Sequence, residues 1–381
     1  MTKTQWNYIQ RKTSEAGQTG TATYDLPERD YIESLVVTAY STPTASTNPA
    51  LPLSDAITKI EIVDGGSVIK SLTGNQIKGL SMIHGHNPLG STEKNDNAVE
   101  GYDQFIIPLG GLFNGVQYAP DMSVFSNPQI KITWDYSITT TEFGMTCDAD
   151  AAPAMKFSIM GKILREAQNV VHGYVKSTIL KEYTQATSTE TSIEIPKGLP
   201  LLGIAVEAGY DAKAFTDDVN EIKLDIDNGA WIPFDFFEEE VNSIQQIWYK
   251  KPFMYSWYAD LEDADELDVH MGYPLHVLAT PGIDSSKGLA FRFDENRRGV
   301  ETVDLMDLAT PTATDVYQQI ALTSIGWEPF HLWYCPMSQL QGGDDDTLDT
   351  TQYSRLDLKI TSSSNASTSS TPDVVAEYLV L

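Results

Sequence analysis

The chain is poor in cysteine, in positive charge and in long apolar runs. Its 381 residues hold two cysteines, Cys147 and Cys335, one in each half. Two thiols so far apart exclude a disulfide-stapled secreted scaffold and a cysteine metal site, and imply folding in a reducing compartment. Lys and Arg total 25 against 53 Asp and Glu, a net charge of −28. Such a chain repels nucleic-acid phosphate, so direct nucleic-acid binding is excluded for its bulk. No apolar run approaches the roughly 18 residues of a membrane span. Residues 1–20 lack the apolar core of a signal peptide, so the chain is expected to be soluble when made. There is no Gly-x-Ser-x-Gly elbow, P-loop or dinucleotide fingerprint; Gly161-Lys162 is followed by Ile163. No catalytic and no cofactor-binding residues are expected.

What the sequence does have is an internal repeat. Thr23-Tyr24-Asp25-Leu26-Pro27 returns as Ser192-Ile193-Glu194-Ile195-Pro196. Lys59 to Gly65 returns as Lys223 to Gly229, and Ile130 to Thr133 as Leu358 to Thr361. Pro153 with Met155 to Met160 returns as Pro372 with Val374 to Leu379. A repeat this long is a whole domain, not a solenoid unit. Thr, Ser, Val, Ile and Tyr with frequent Gly and Pro favour short strands and turns. Strands are expected at 21–27, 32–40, 57–63, 68–72, 105–109, 129–136 and 155–164, with a hairpin turn on Asp64-Gly65-Gly66. The same order follows from Tyr174 onward. The expected fold is all-β, two tandem eight-stranded jelly rolls.

The expected domains are an N-terminal arm at 1–20, a first jelly roll at 21–164, a linker at 165–172 and a second jelly roll at 173–381. From Gly65 to Ile132 is 67 residues, but from Gly229 to Ile360 is 131. The second copy therefore carries an insertion of about 64 residues within 235–350, the place where long insertions carry interactions. The arm is mildly basic, with Lys3, Arg11 and Lys12 around Trp6 and Tyr8. It reads either as a loose or strand-swapped terminus or as a foot on an anionic membrane.

Several constellations contain residue types suited to chemistry. His84-Gly85-His86 with Glu93 resembles a cupin metal motif, but the spacing fails and the later His is missing. The expectation there is a pair of solvated loop histidines. Asp263, Asp265 and Asp268 form a weak calcium candidate, without the glycine or spacing of an EF-hand; Asp344-Asp345-Asp346 earns the same reading. Trp248 to Trp257 suggests a sugar platform, though such aromatics more commonly form core or interface. Asn365-Ala366-Ser367 is a glycosylation sequon with meaning only in a secretory pathway.

Ile222 to Tyr249, with Ile226-Asp227-Asn228-Gly229-Ala230-Trp231, resembles the strand, Asp-Gly, Trp hairpin of corticovirus coat proteins. Arg355 to Ile360 with Glu377-Tyr378-Leu379 resembles that family's closing strand pair, and residues 129–161 resemble the close of its first jelly roll. The chain thus resembles the double jelly-roll major capsid proteins of icosahedral viruses with an internal membrane, corticovirus- and finnlakevirus-like, with tectiviruses more distant. The resemblance implies a bacteriophage coat protein that is not an enzyme and forms pseudo-hexagonal homotrimers. Neighbouring capsomers, a penton (vertex) protein and the internal lipid membrane would be its partners. The arm would face that membrane and the insertion would form an outward tower, in a virion capsid assembled in the host cytoplasm. The competing readings are a carbohydrate-binding or carbohydrate-active jelly roll and a cupin-type metalloenzyme at His84 and His86.

Overall fold

The structure is a computed structural model. It describes residues 3–41, 53–86, 92–93, 100–110, 118–135, 155–166, 173–208, 215–261, 265–268, 271, 274–280, 287–292, 300–307, 318–340, 347–366 and 371–381. For the described residues within 92–93, 216, 238, 258–268, 274–307, 318–320 and 322 only the backbone is described.

The first half runs β1 (Lys3–Glu15), β2 (Thr19–Asp25), β3 (Tyr31–Ser41), α1 (Leu53–Ala56), β4 (Lys59–Asp64), β5 (Ser67–Leu72), α2 (Gly74–Ile83), β6 (Thr92–Glu93), β7 (Gly101–Pro108), β8 (Pro128–Asp135) and β9 (Met155–Arg165). The second half opens with β10 (Tyr174–Glu182), β11 (Glu190–Glu194), β12 (Leu201–Glu207), α3 (Phe215–Asp218), β13 (Val219–Ile226), β14 (Trp231–Phe237) and α4 (Glu238–Tyr249). An insertion follows, with β15 (Phe253–Leu261), β16 (Asp265–Asp268), β17 (Pro274–Thr280), β18 (Lys287–Arg292), β19 (Val300–Asp307) and β20 (Gln318–Gly326). The chain closes with β21 (Leu332–Pro336), β22 (Leu356–Ser362) and β23 (Asp373–Val380).

Strand order repeats as the sequence does. In the first half β1-β9-β3-β7 faces β2-β8-β4-β5. In the second, β10-β23-β12-β21 faces β11-β22-β13-β14. Each half is an eight-stranded jelly roll, as expected. Alternation builds the cores: along β8, Ile130, Ile132 and Trp134 point inward while Gln129, Lys131 and Thr133 are half-exposed. Each such side chain contributes about 1.5–3 kcal/mol by leaving water. The two cores are separate, except that Ala205, Leu332, Tyr334 and Val375 of the second half join the first core.

The repeat extends to single hydrogen bonds. Asp64 Oδ1 accepts from the N–H groups of Ser126 and Asn127, at 2.9 and 2.7 Å. Asp227 Oδ1 accepts from those of Ser354 and Arg355, at 2.6 and 2.9 Å. In both halves the hairpin aspartate thus ties down the loop entering the next strand. Asp121 caps Ser123 N–H and Asp349 caps Thr351 N–H, each at 3.0 Å, starting matching 3-10 turns.

The halves diverge between helix and strand. α2 and β7 are separated by residues 84–100, but α4 and β21 by residues 250–331. The next gap is equal in the two, at 109–127 and 337–355. The extra residues thus fall between α4 and β21. They form the sheet β16-β19-β18 and the ladder β15-β20-β17. That ladder joins the first half, because β6 pairs with both β7 and β15.

Two expectations are corrected. The arm at 1–20 is not separate from the first domain. Lys3–Glu15 is β1, antiparallel to β9 from Lys3↔Arg165 to Glu15↔Met155. Register shifts between Tyr8 and Gln10 and between Gln10 and Thr13 break its period-two pattern, which hides the strand in the sequence. The second correction is a helix, α2, in a stretch where the sequence pattern predicts no element. Thr73-x-x-Gln76 is a capping box: Gln76 N–H donates to Thr73 Oγ1 at 3.2 Å, and Thr73 N–H to Gln76 Oε1 at 3.1 Å. Every residue of α2 is buried, so no polar face marks it as amphipathic.

Candidate functional site

The most chemically elaborate region among the described residues is the seam between the two jelly rolls. β5 of the first lies parallel to β10 of the second, with Lys70 opposite Ser177. Ser177 is in turn opposite Glu377 on β23, and Glu377 opposite Gly203 on β12. One rung of residues therefore crosses from one domain into the other.

Glu377 is the hub of that rung and is 1% exposed. Its Oε1 accepts from Ser177 Oγ at 2.8 Å and lies 3.9 Å from Lys70 Nζ, which donates to Ser177 Oγ at 2.7 Å. Its Oε2 is hydrogen-bonded to His84 Nε2 at 2.7 Å and accepts from Tyr334 OH at 3.0 Å. His84 sits edge-on to the Tyr334 ring, with centroids 5.4 Å apart. Burial alone would raise the Glu377 carboxyl. His84, Lys70 and Ser177 outweigh it and hold the group down at about 2. Burial lowers Lys70, and Glu377 pulls it part of the way back.

α2 carries the other seam contacts. Lys78 is 5% exposed; its Nζ donates to Asp103 Oδ1 at 2.5 Å and to Tyr255 OH at 2.7 Å. The rings of Phe105, Tyr255 and Phe330 surround it at 4.9–5.5 Å. This ties α2 to its own sheet and to the insertion. Gly79 has no side chain because a Cβ there would stand 2.7 Å from Pro329 O and 2.5 Å from Leu332 Cδ1.

This arrangement links the two jelly rolls and the insertion through buried side chains. The Glu377 and Lys78 clusters pair opposite charges and are buried. The solvated histidine pair is corrected here: His84 caps the C-terminus of α2, is 2% exposed and bonds Glu377. Burial, then His84 and Lys162, pushes His86 down to about 4. Of Glu93 only the backbone is described, in β6. No group of three His, Cys, Asp or Glu able to hold a metal ion occurs among the described residues. Asp263, Cys147 and Asp344 to Asp346 lie outside the described residues, and Asp265 and Asp268 are described only as backbone in β16. Trp257 is 1% exposed and stacks on Tyr255, so it offers no sugar platform. In β1, Trp6 and Tyr8 are 53% and 58% exposed. Lys3 pairs with Glu166 at 2.7 Å, Lys12 pairs with Glu100, and Arg11 lies 5.7 Å from the Tyr8 ring.

No family model matches the sequence, and no curated protein matches it. Solved structures do. The MCP of STIV, Sulfolobus Turreted Icosahedral Virus, covers 99% of this chain and 96% of its own, with TM-score 0.56 and 11% identity. The major capsid protein P2 of bacteriophage PM2 covers 99% and 97%, with TM-score 0.51 and 11% identity. The chain has the double jelly-roll fold. The PBCV-1 virus capsid structure matches it as well, over 100% of this chain and 94% of its own, with TM-score 0.51 and 9% identity. The double jelly roll is held at its midline by the Glu377 hub and by α2.

Proposed function

We propose that this double jelly-roll chain is a major capsid protein whose job is geometric. Three copies form a pseudo-hexagonal capsomer, and capsomers tile an icosahedral shell over an internal membrane with a vertex protein at the fivefold positions. The observation that carries this reading is the seam. Inside one chain, β5 and α2 on the trailing side of the first domain meet β10 and β23 on the leading side of the second. The chain repeats the same two kinds of surface at its ends: β1 and β2 lead the first domain, and β14 and α4 trail the second. Among the described residues β1, β2 and β14 are sheet edges, and Ile232, Phe237 and Ile247 are exposed on β14 and α4. Unpaired edges and exposed apolar side chains favour burial against a second copy. A head-to-tail contact of this kind closes into a ring when its rotation permits, and three chains place six domains around that ring. Viral capsid proteins of the same fold support the reading.

Sedimentation at micromolar concentration is expected to give a trimer. Replacing Phe237 and Ile247 with Asp should weaken it by about tenfold or more. A wild-type monomer that persists at high concentration overturns the proposal.

The membrane face is assigned to Trp6, Tyr8 and Arg11, flanked by Lys3 and Lys12. Binding to vesicles rich in anionic lipid is expected to fall as salt rises and the Debye length shrinks from about 10 Å toward 3 Å. Trp6→Ser with Tyr8→Ser should remove most of it. Truncation is the wrong test, because it strips β9 of one of its two partner strands. Binding that ignores both salt and the double substitution removes the foot.

A further inference from the structure

The seam has a second pole with the opposite electrostatics. At the N-terminal turn of α2, Gln76 Nε2 donates to Glu207 Oε2 and to Asp373 Oδ2, each at 2.9 Å. Its Oε1 is already used by the capping box, so one side chain both starts the helix and grips the second domain. Glu207 ends β12 and Asp373 begins β23, and the Asp373 N–H lies 3.4 Å from Glu207 Oε2. Glu207 is 8% exposed.

The groups around this carboxyl pair are acidic on almost every side. α1 brings Asp55, which accepts from Asn75 of α2 at 2.5 Å. α3 brings Asp218 toward Tyr183, whose hydroxyl donates to the Glu207 carbonyl at 2.8 Å. β10 brings Glu182, directly opposite Asp373. Glu182 and its neighbour Lys181 on β10 are both exposed to solvent. Among the described residues no Lys, Arg or His forms an ion pair with Glu207 or Asp373, whereas Glu377 at the other pole has both Lys70 and His84. Two carboxylates on one amide nitrogen, without a cation, repel each other, and a proton between them removes the repulsion.

We propose that Gln76, Glu207 and Asp373 form a proton-dependent latch, in which one proton retained by the carboxyl pair keeps α2 seated on the second jelly roll and its loss lifts the first turn of α2 and loosens the seam. The latch is a property of the folded chain and holds whether or not the chain builds a shell. Burial first and then the Asp373 charge push Glu207 up to about 8, against the pull of Gln76. Burial and Glu182 also raise Asp373. The sign follows from linkage: a carboxyl raised in the folded state adds stability that is complete below its ordinary 4.5 and is lost as pH rises through about 8.

The test is hydrogen–deuterium exchange of the full chain at about pH 6.5 and about pH 9.5, corrected for intrinsic exchange. Residues 73–77 are expected to lose protection at least about tenfold more than β13 at the higher pH. Glu207→Gln should abolish that excess loss. It leaves Lys70 untouched, so a persisting loss would belong to Lys70 and would overturn the latch. If Glu207→Gln does not fold, Asp373→Asn removes the same repulsion and must suppress the same loss. Equal loss of protection in α2 and β13 of the wild-type chain also overturns it.

Discussion

Glu377→Ala is expected to destabilise the folded chain by about 3–5 kcal/mol, the range for removing one partner of a buried ion pair. The substitution takes the carboxylate from a hub that is 1% exposed and leaves Lys70 and His84 facing each other's side of an empty space. It also removes the carboxylate acceptor of the Ser177 and Tyr334 hydroxyls. Chemical denaturation should show a midpoint well below wild type, and the seam is expected to open before either domain core. Lowering pH acts on the same residue. Its carboxyl is held at about 2 against an ordinary 4.5, so its contribution is complete above 4.5 and disappears as pH falls toward 2. Glu377→Gln keeps the shape, loses the charge and should flatten that acid limb. A Glu377→Ala chain as stable as wild type contradicts the hub.

The second large effect is expected at Gly203, on the same rung. A Cβ at this position would stand 2.0 Å from the Tyr334 hydroxyl oxygen and 2.3 Å from its Cζ. Tyr334 is fully buried and its ring is rigid, so it cannot step aside at low cost. Gly203→Ala should therefore expel the ring, break the bond to Glu377 and cost about 3 kcal/mol. Tyr334→Phe removes the hydroxyl contact but keeps the ring carbon at 2.3 Å, and it loses the same bond to Glu377 that Gly203→Ala breaks. The pair Gly203→Ala with Tyr334→Phe is expected to be more stable than the sum of the two single changes implies. Strict additivity would separate Gly203 from the hub.

These sites show what a sequence exposes and what it conceals. Short-range patterns were legible: Asp64-Gly65 makes its hairpin, Ile130-x-Ile132-x-Trp134 makes its half-buried strand, and the repeated landmarks fall on equivalent strands. The hub was not legible, because members such as His84 and Glu377 lie 293 positions apart and meet only through folding. Glu377 did leave one trace, as the single charge within Val374 to Leu379 on a strand buried along most of its length. The Thr73-x-x-Gln76 box marked α2, but Gly74 and Gly79 lower its helix propensity, and burial on all sides removes the amphipathic stripe. The paired turns at Asp121 and Asp349 were readable as a matching Asp-x-Ser/Thr in each half, a finer echo of the same duplication.

The proposed capsomer treats the chain as two equivalent domains fused at one junction, with the matching junction taken by another copy. Electron microscopy of the purified chain tests that most directly. The expected particle has threefold symmetry and six lobes around a ring, with the insertions rising from alternate lobes. Isolated two-lobed particles at every concentration would contradict the account.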